Sequence, residues 1–237
     1  MNVGQDFAAA NGGLEERHEV KFAAYEHEYD RLKVWLQMHP LAFRVPYPSR
    51  QVNNVYFDTW DYRAYAENLA GVSQRSKLRY RWYSESLTPD VGSLEVKRKR
   101  NHFGWKLRYP IANVTWSDHS TWADIRHAMR ASLSPGAWLW FDQNPQPMMI
   151  NRYCRDYFVS SDGRIRATLD TNQRVYDQRS AAHLNVTRPA VMQKTLVVEF
   201  KFARADRQAA VELLAKMPLR VGRHSKYMNA MRAAAFV

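Results

Sequence analysis

Charged side chains spaced two apart recur in five segments of this chain, and that spacing constrains its fold more than any other feature. They are Arg79 with Arg81, Lys97 and Lys99 with Glu95, Lys106 with Arg108, Arg164 with Arg166, and Glu199 with Lys201. Alternate residues of a strand project from opposite faces, so each set shares one face. The opposite positions hold Leu78, Tyr80, Trp82, Val96, Leu107, Tyr109, Ile165, Val198 and Phe200, bulky groups suited to packing beneath helices. Two arrangements satisfy this pattern. Either the charged faces are the solvated outside of a sheet, as half-buried strands normally show, or helices cover an apolar outside and the charges line an interior.

The rest of the chain supplies the helices. Glu28 to Met38 carries Leu32, Trp35 and Leu36 at helical spacing up to Pro40, Asp118 to Ser134 follows N-cap candidates Ser117 and Asp118, and Ala137 to Phe141 suits a short helix. Helices are also expected at Asp206 to Lys216 and from Ser225 to Ala235. Strands are expected at Arg17 to Phe22, Val52 to Phe57, Lys77 to Tyr83, Gly92 to Lys99, Trp105 to Ile111, Ile150 to Val159, Arg164 to Asp170 and Thr195 to Phe202, with turns at Thr88-Pro89-Asp90 and Phe103-Gly104. The sum is an α+β fold around a closed, antiparallel, eight-stranded β-barrel with flanking helices. Residues 1–14, small and polar, read as a flexible lead-in, and 15–237 as one domain.

An interior crowded with Lys and Arg needs anions or water, because like charges in a reduced dielectric repel by several kcal/mol at close range. A chain of phosphates answers that need along its length: Arg offers a planar fork to its oxygens and Lys a compact charge. Glu19, Glu95 and Glu199 suit either salt bridges to their neighbours or oxygen ligation of a divalent cation bridging phosphates. The net charge of +12 points the same way, to a polyanion of unspecified kind. Nucleic acid is not expected, since the aromatics alternate opposite the charges instead of lying free for stacking. No segment approaches the ~20 apolar residues of a membrane span, the start lacks a signal-peptide pattern, and the single Cys154 reads as a buried thiol, so the expected compartment is the cytoplasm. His18, His102 and His224 lack metal-ligand spacing.

Several motifs in order carry a resemblance: Glu19-Val20-Lys21, Val55-Tyr56-Phe57-Asp58-Thr59, Leu78 to Tyr83, Leu94 to Lys99, Arg164 to Asp170, Val198-Glu199-Phe200-Lys201 and His224-Ser225-Lys226-Tyr227. From about Arg17 to Asn229 the chain resembles the triphosphate tunnel metalloenzymes, and within them the catalytic domain of the vacuolar transporter chaperone polyphosphate polymerases. The resemblance implies that Lys21, Arg79, Arg81, Lys97, Lys106, Arg166, Ser225 and Lys226 contact the phosphate chain, and that Glu199 holds manganese or magnesium. Lys99, Arg108, Arg164, Lys201 and Glu95 are further lumen candidates. Many hydrolytic relatives begin Glu-x-Glu-x-Lys, where this chain has Arg17-x-Glu19-x-Lys21, a departure that favours the polymerase branch.

The expected chemistry is metal-dependent transfer of the ATP γ-phosphoryl group to phosphate or polyphosphate. Arg79, Arg81 and Arg166 would stabilise the transferring group, and Lys97, Lys106 and Lys226 would align the acceptor. Hydrolysis of tripolyphosphate or a nucleoside triphosphate, and polyphosphate binding without turnover, are the alternatives.

Overall fold

A computed structural model describes residues 17–234 apart from 90, 102, 113, 115, 118 and 223. The expected lead-in, His102 and Asp118 lie outside the described residues. The chain runs β1 (Arg17–Tyr25), α1 (Tyr29–Met38), β2 (Arg50–Asp58), α2 (Arg63–Leu69), β3 (Gln74–Tyr83), β4 (Val91–Arg100), β5 (Phe103–Ala112), α3 (Trp122–Ser132), α4 (Pro135–Asp142), β6 (Gln146–Val159), β7 (Arg166–Asp177), β8 (Thr195–Ala203), α5 (Arg207–Ala215) and α6 (Lys226–Ala234).

The strands form one antiparallel sheet in the order β1-β8-β7-β6-β2-β3-β4-β5. It curls into a half-barrel that stays open between β1 and β5, so the expected closure is corrected. The two edges are treated differently. The Gly222 N–H donates to the Lys21 carbonyl at 3.1 Å and Val221 bridges to Phe22, which places the approach to α6 on the free side of β1. Strand β5 carries Pro110, which has no N–H to give to a further ladder.

The apolar alternates of the strands face outward beneath helices. Leu78, Tyr80, Trp82, Val96 and Leu107 pack with Trp122, Ile125 and Met129 of α3 and Phe141 of α4. On the other half, Phe22, Val198 and Phe200 pack with Leu32 and Leu36 of α1 and Ala210 and Leu213 of α5. Helix cover of this kind turns the charged faces inward, and the arrangement with a charged interior is the one adopted. Arg98 shows the parity rule at work: one residue out of phase with Lys97 and Lys99, it leaves the lumen and stacks over Trp105 and Trp140 at 4.9 and 5.2 Å.

Helix α6 differs in packing on the concave side, where Tyr227, Met228, Ala230 and Met231 meet Tyr56, Met148, Met149 and Val175. Asp58 fastens this layer. Its buried carboxylate accepts the N–H groups of Thr59, Ala64 and Tyr65 at 2.8, 2.8 and 3.1 Å, satisfying the start of α2, and the Tyr227 hydroxyl at 2.6 Å. Helix α2 itself is absent from the sequence reading, because its seven residues are too few to show a period.

Three local readings are corrected. Helix α3 begins later than expected, with Thr121 as its N-cap accepting the Asp124 N–H at 3.1 Å. Phe103 and Gly104 belong to β5, and the β4–β5 turn starts at Asn101 (φ 56), a residue tolerant of the left-handed region. The stretch before β7 is a turn in which Asp162 accepts the Arg164 N–H at 3.0 Å and Gly163 takes φ 76, so Arg164 precedes the strand.

Gly92 tests the packing of β3 on β4. A Cβ there would lie 2.5 Å from the Tyr80 ring and 2.6 Å from the Arg81 carbonyl oxygen. Gly92→Ala is expected to destabilise by about 1–3 kcal/mol, the usual range for overpacking, read as a lower denaturant midpoint at unchanged slope.

Candidate functional site

The concave face and α6 enclose a cavity of about 1300 Å³. Of the residues expected in the lumen, Lys21, Arg79, Arg81, Lys97, Lys99, Lys201, Ser225, Lys226, Glu19 and Glu199 line it.

Strands β3 and β4 build one wall. The Arg79 Nε and Nη2 donate to Glu95 Oε2 at 2.9 and 2.7 Å, and the Lys106 Nζ donates to Oε1 at 2.9 Å. Burial opposes ionisation of Glu95, but Arg79, Arg81 and Lys106 outweigh it and hold the carboxyl far below the usual range. Arg81 donates to Asn54 Oδ1 at 2.8 Å and to the Tyr153 hydroxyl at 3.2 Å. Both guanidiniums are thus fixed with part of each fork facing the cavity.

Strands β1 and β8 build the second wall, in a register that pairs Lys21 with Glu199 and Glu19 with Lys201. The Lys21 Nζ lies 2.7 Å from Glu19 and 3.2 Å from Glu199. Lys201 contacts Glu199, and Lys97 reaches from β4 across the open side to Glu19 at 3.6 Å. Burial disfavours charge on Glu199, yet Lys201, Lys21 and Arg155 keep its carboxyl well below the usual value.

The third wall was largely missed in the sequence. Asp170 on β7, fully buried, accepts Arg155 Nε and Nη2 at 2.6 and 2.8 Å and also the Lys226 ammonium. Against burial, Lys226 and Arg155 hold its pKa at about 2. Lys226 sits 4.5 Å above the Tyr153 ring. Arg155 falls in a strand whose pairing shifts between Arg152 and Cys154, which breaks the simple alternation. Lys77 and Arg75, also on the lining, continue the Arg79–Arg81 alternation toward the start of β3, so their signal was present.

Four expected site residues lie elsewhere. Arg164 pairs with Asp162 at 2.7 Å and Asp206 at 3.6 Å on the outer surface, because the preceding turn keeps it out of β7. Arg166 shares the face of Lys201 by register but is exposed at the strand start, off the lining. Lys106 faces the same side as Lys97 and serves Glu95, and Arg108 donates to Ser93 Oγ at 3.1 Å. His18 stacks on Phe202, and burial lowers the pKa of His224 to about 4, so it is neutral on the cavity wall.

Among the described residues no group of three or more His, Cys, Asp or Glu could hold a metal ion. Glu95 fits the role poorly, since both its oxygens are taken by Arg79 and Lys106. Glu19 and Glu199 converge on Lys21 and are also held by Lys97 and Lys201, so they could serve a hard cation, which takes one or two carboxylates and completes its shell with phosphate oxygens, only where those ammonium groups turn to the phosphates instead.

A curled antiparallel sheet with helices outside and a basic concave face defines the class of triphosphate tunnel folds. Within that class the chain belongs to the VTC domain family, which matches residues 16–235. Its fold is similar to that of a putative adenylyl cyclase from Hippeastrum described as having a dominant triphosphatase activity (TM-score 0.54, 14% identity, covering 91% of this chain and 95% of that one). It is also similar to a putative adenylate cyclase from Vibrio parahaemolyticus (TM-score 0.49, 12% identity, 92% and 97% covered). No curated protein matches the chain significantly. Among the described residues no helix is long and apolar enough to cross a membrane.

Proposed function

We propose that this chain is a metal-dependent phosphotransferase that moves the γ-phosphoryl group of ATP onto phosphate or a polyphosphate chain inside its lumen. The observation that carries this reading is the convergence of Lys21, Lys77, Arg79, Lys97, Arg155 and Lys226 on one cavity from three walls. That cavity, about 1300 Å³, exceeds the roughly 300–1,000 Å³ of an ordinary small-ligand pocket. That space has room for donor and acceptor together, as transfer requires.

Phosphoryl transfer through a loose transition state asks mainly for alignment and neutralised charge, so no protein nucleophile is needed. Arg79 and Arg81, braced by Glu95, Asn54 and Tyr153, would stabilise charge on the transferring group. Lys97, Lys201, Arg155, Lys226 and Ser225 would hold the flanking phosphates, with Lys99 nearer the β4–β5 turn. Arg166, at the exposed end of the Lys201 face, would meet only a chain long enough to leave the cavity. Glu19 and Glu199 would hold manganese or magnesium, which when bound neutralises phosphate oxygens. The Hippeastrum protein's triphosphatase activity keeps hydrolysis as the competing reading.

The purified protein should be incubated with ATP and manganese and its products resolved by length. Lengthening polyphosphate supports transfer, release of phosphate without chains supports hydrolysis, and triphosphate binding without turnover supports a binding module.

A further inference from the structure

Every lysine on the β1–β8 and α6 walls has a carboxylate within reach, and so has Lys97 on β4. Lys77 differs. It is half-buried and lines the cavity, and the partners of its ammonium are the Ser225 Oγ at 3.1 Å and the Tyr227 ring, whose centroid is 5.6 Å away. The groups around it are cationic or neutral. Lys21 faces it from β1, Arg75 and Arg79 from β3 and Lys97 from β4, while Ser225 lies just before α6 and Tyr227 on it. Tyr56 on β2 is hydrogen-bonded to Arg79 at 3.4 Å, and His224 on the same wall is neutral. The carboxylates of Glu19, Glu199, Glu95 and Asp170 are each claimed by other cations.

We propose that Lys77 and Ser225 form an anion subsite that fills with a phosphate group and a proton together, Lys77 waiting as a neutral amine and becoming an ammonium when the anion arrives. The inference rests on the phosphate-binding reading above and adds to it a residue, Lys77, and a proton stoichiometry. The physical basis is a mismatch of charge. Burial first, then Lys97, Lys21, Arg75 and Arg79, lower the Lys77 pKa to about 7, whereas an ammonium in water titrates near 10.4. A phosphate group lying between Lys77, Lys97 and Arg79 reverses the local potential and raises that pKa again. Binding then takes up a proton wherever the pH lies above the free value. The Ser225 hydroxyl, able to donate or accept, can serve the amine before binding and the phosphate afterwards.

The sign of the pH dependence follows. For the free protein, the Lys77 value lies below that of the unfolded chain, so its penalty is full below about pH 7 and is relieved as pH rises from there toward 10. Ligand affinity runs oppositely and falls as pH rises through 7. With the bound pKa at least two units higher, linkage weakens the affinity for tripolyphosphate about tenfold between pH 6 and 8.

The test is calorimetric titration of the full chain with tripolyphosphate at pH 8, in two buffers of different ionisation enthalpy, on wild type and on Lys77→Arg and Lys77→Met. The difference between variants cancels protonation of the ligand itself. Wild type should take up close to one proton more per ligand than Lys77→Arg, whose guanidinium is always charged. Lys77→Arg should bind with a flatter pH profile, and Lys77→Met should bind more weakly at pH 6 while losing the same uptake. Equal uptake in all three proteins overturns the proton-linked subsite while leaving phosphate binding intact. No binding of tripolyphosphate by wild type at either pH overturns the functional reading itself. A fold check by thermal melting accompanies each variant, and if Lys77→Met fails to fold, wild type against Lys77→Arg decides alone.

Discussion

Replacing Arg79 by methionine should weaken tripolyphosphate binding by ten- to a hundredfold and also lower the melting temperature by about 6–12 °C. The first effect is the loss of a charge-assisted contact, worth about 1.5–3 kcal/mol. The second comes from Glu95, which is buried and would keep only Lys106. An unbalanced buried carboxylate costs on the order of 3 kcal/mol, and a chain of this size loses roughly 2–4 °C per kcal/mol. The two effects separate in the double variant. Adding Glu95→Gln to Arg79→Met should restore most of the melting temperature and none of the affinity. If affinity returned with stability, Arg79 would be a scaffold residue and its role in holding phosphate would be lost.

The second large effect is expected at Asp170. Asp170→Asn leaves Arg155 and Lys226 facing each other with no carboxylate between them, at a cost of about 3–5 kcal/mol, visible as a melting temperature lower by roughly 10 °C. Its folded-state pKa of about 2 lies below the ordinary value of 3.8, so the carboxylate contributes its stability above about pH 4 and loses it as pH falls toward 2. Wild type should therefore show a step of acid destabilisation in that window that the variant lacks. Tripolyphosphate should then stabilise Asp170→Asn more than wild type, because the ligand supplies the missing negative charge. A ligand-induced shift equal in both proteins would separate this cluster from the binding site.

The lumen was legible because it depends on parity, which a sequence displays directly. Arg79, Arg81, Lys97 and Lys201 sit on alternating positions in three strands, and helical cover of Tyr80, Trp82 and Phe200 decides which way they point. Parity fails where backbone irregularity intervenes. The shift in β6 hid Arg155, and the turn at Asp162 removed Arg164 from the face to which its spacing assigned it. Charges balanced over long range were also invisible: nothing local in the sequence joins Asp170 to Lys226, or Glu95 to Lys106 and Arg79 at once. Barrel closure was misjudged for a related reason, since the Val221–Gly222 segment that takes the edge of β1 has no strand pattern of its own.

The pairing of β1 with β8 has a consequence for how the protein is made. Glu19 and Lys21 leave the ribosome long before their partners Lys201 and Glu199. Such distant pairing is slow to form, because closing a long loop is entropically unfavourable before any contact rewards it. The Glu19 and Glu199 carboxylates therefore meet only after β8 has been synthesised. A nascent chain holding all of β3 and β4 would carry basic strands without that acidic pair, and could attract polyanions before it could orient them.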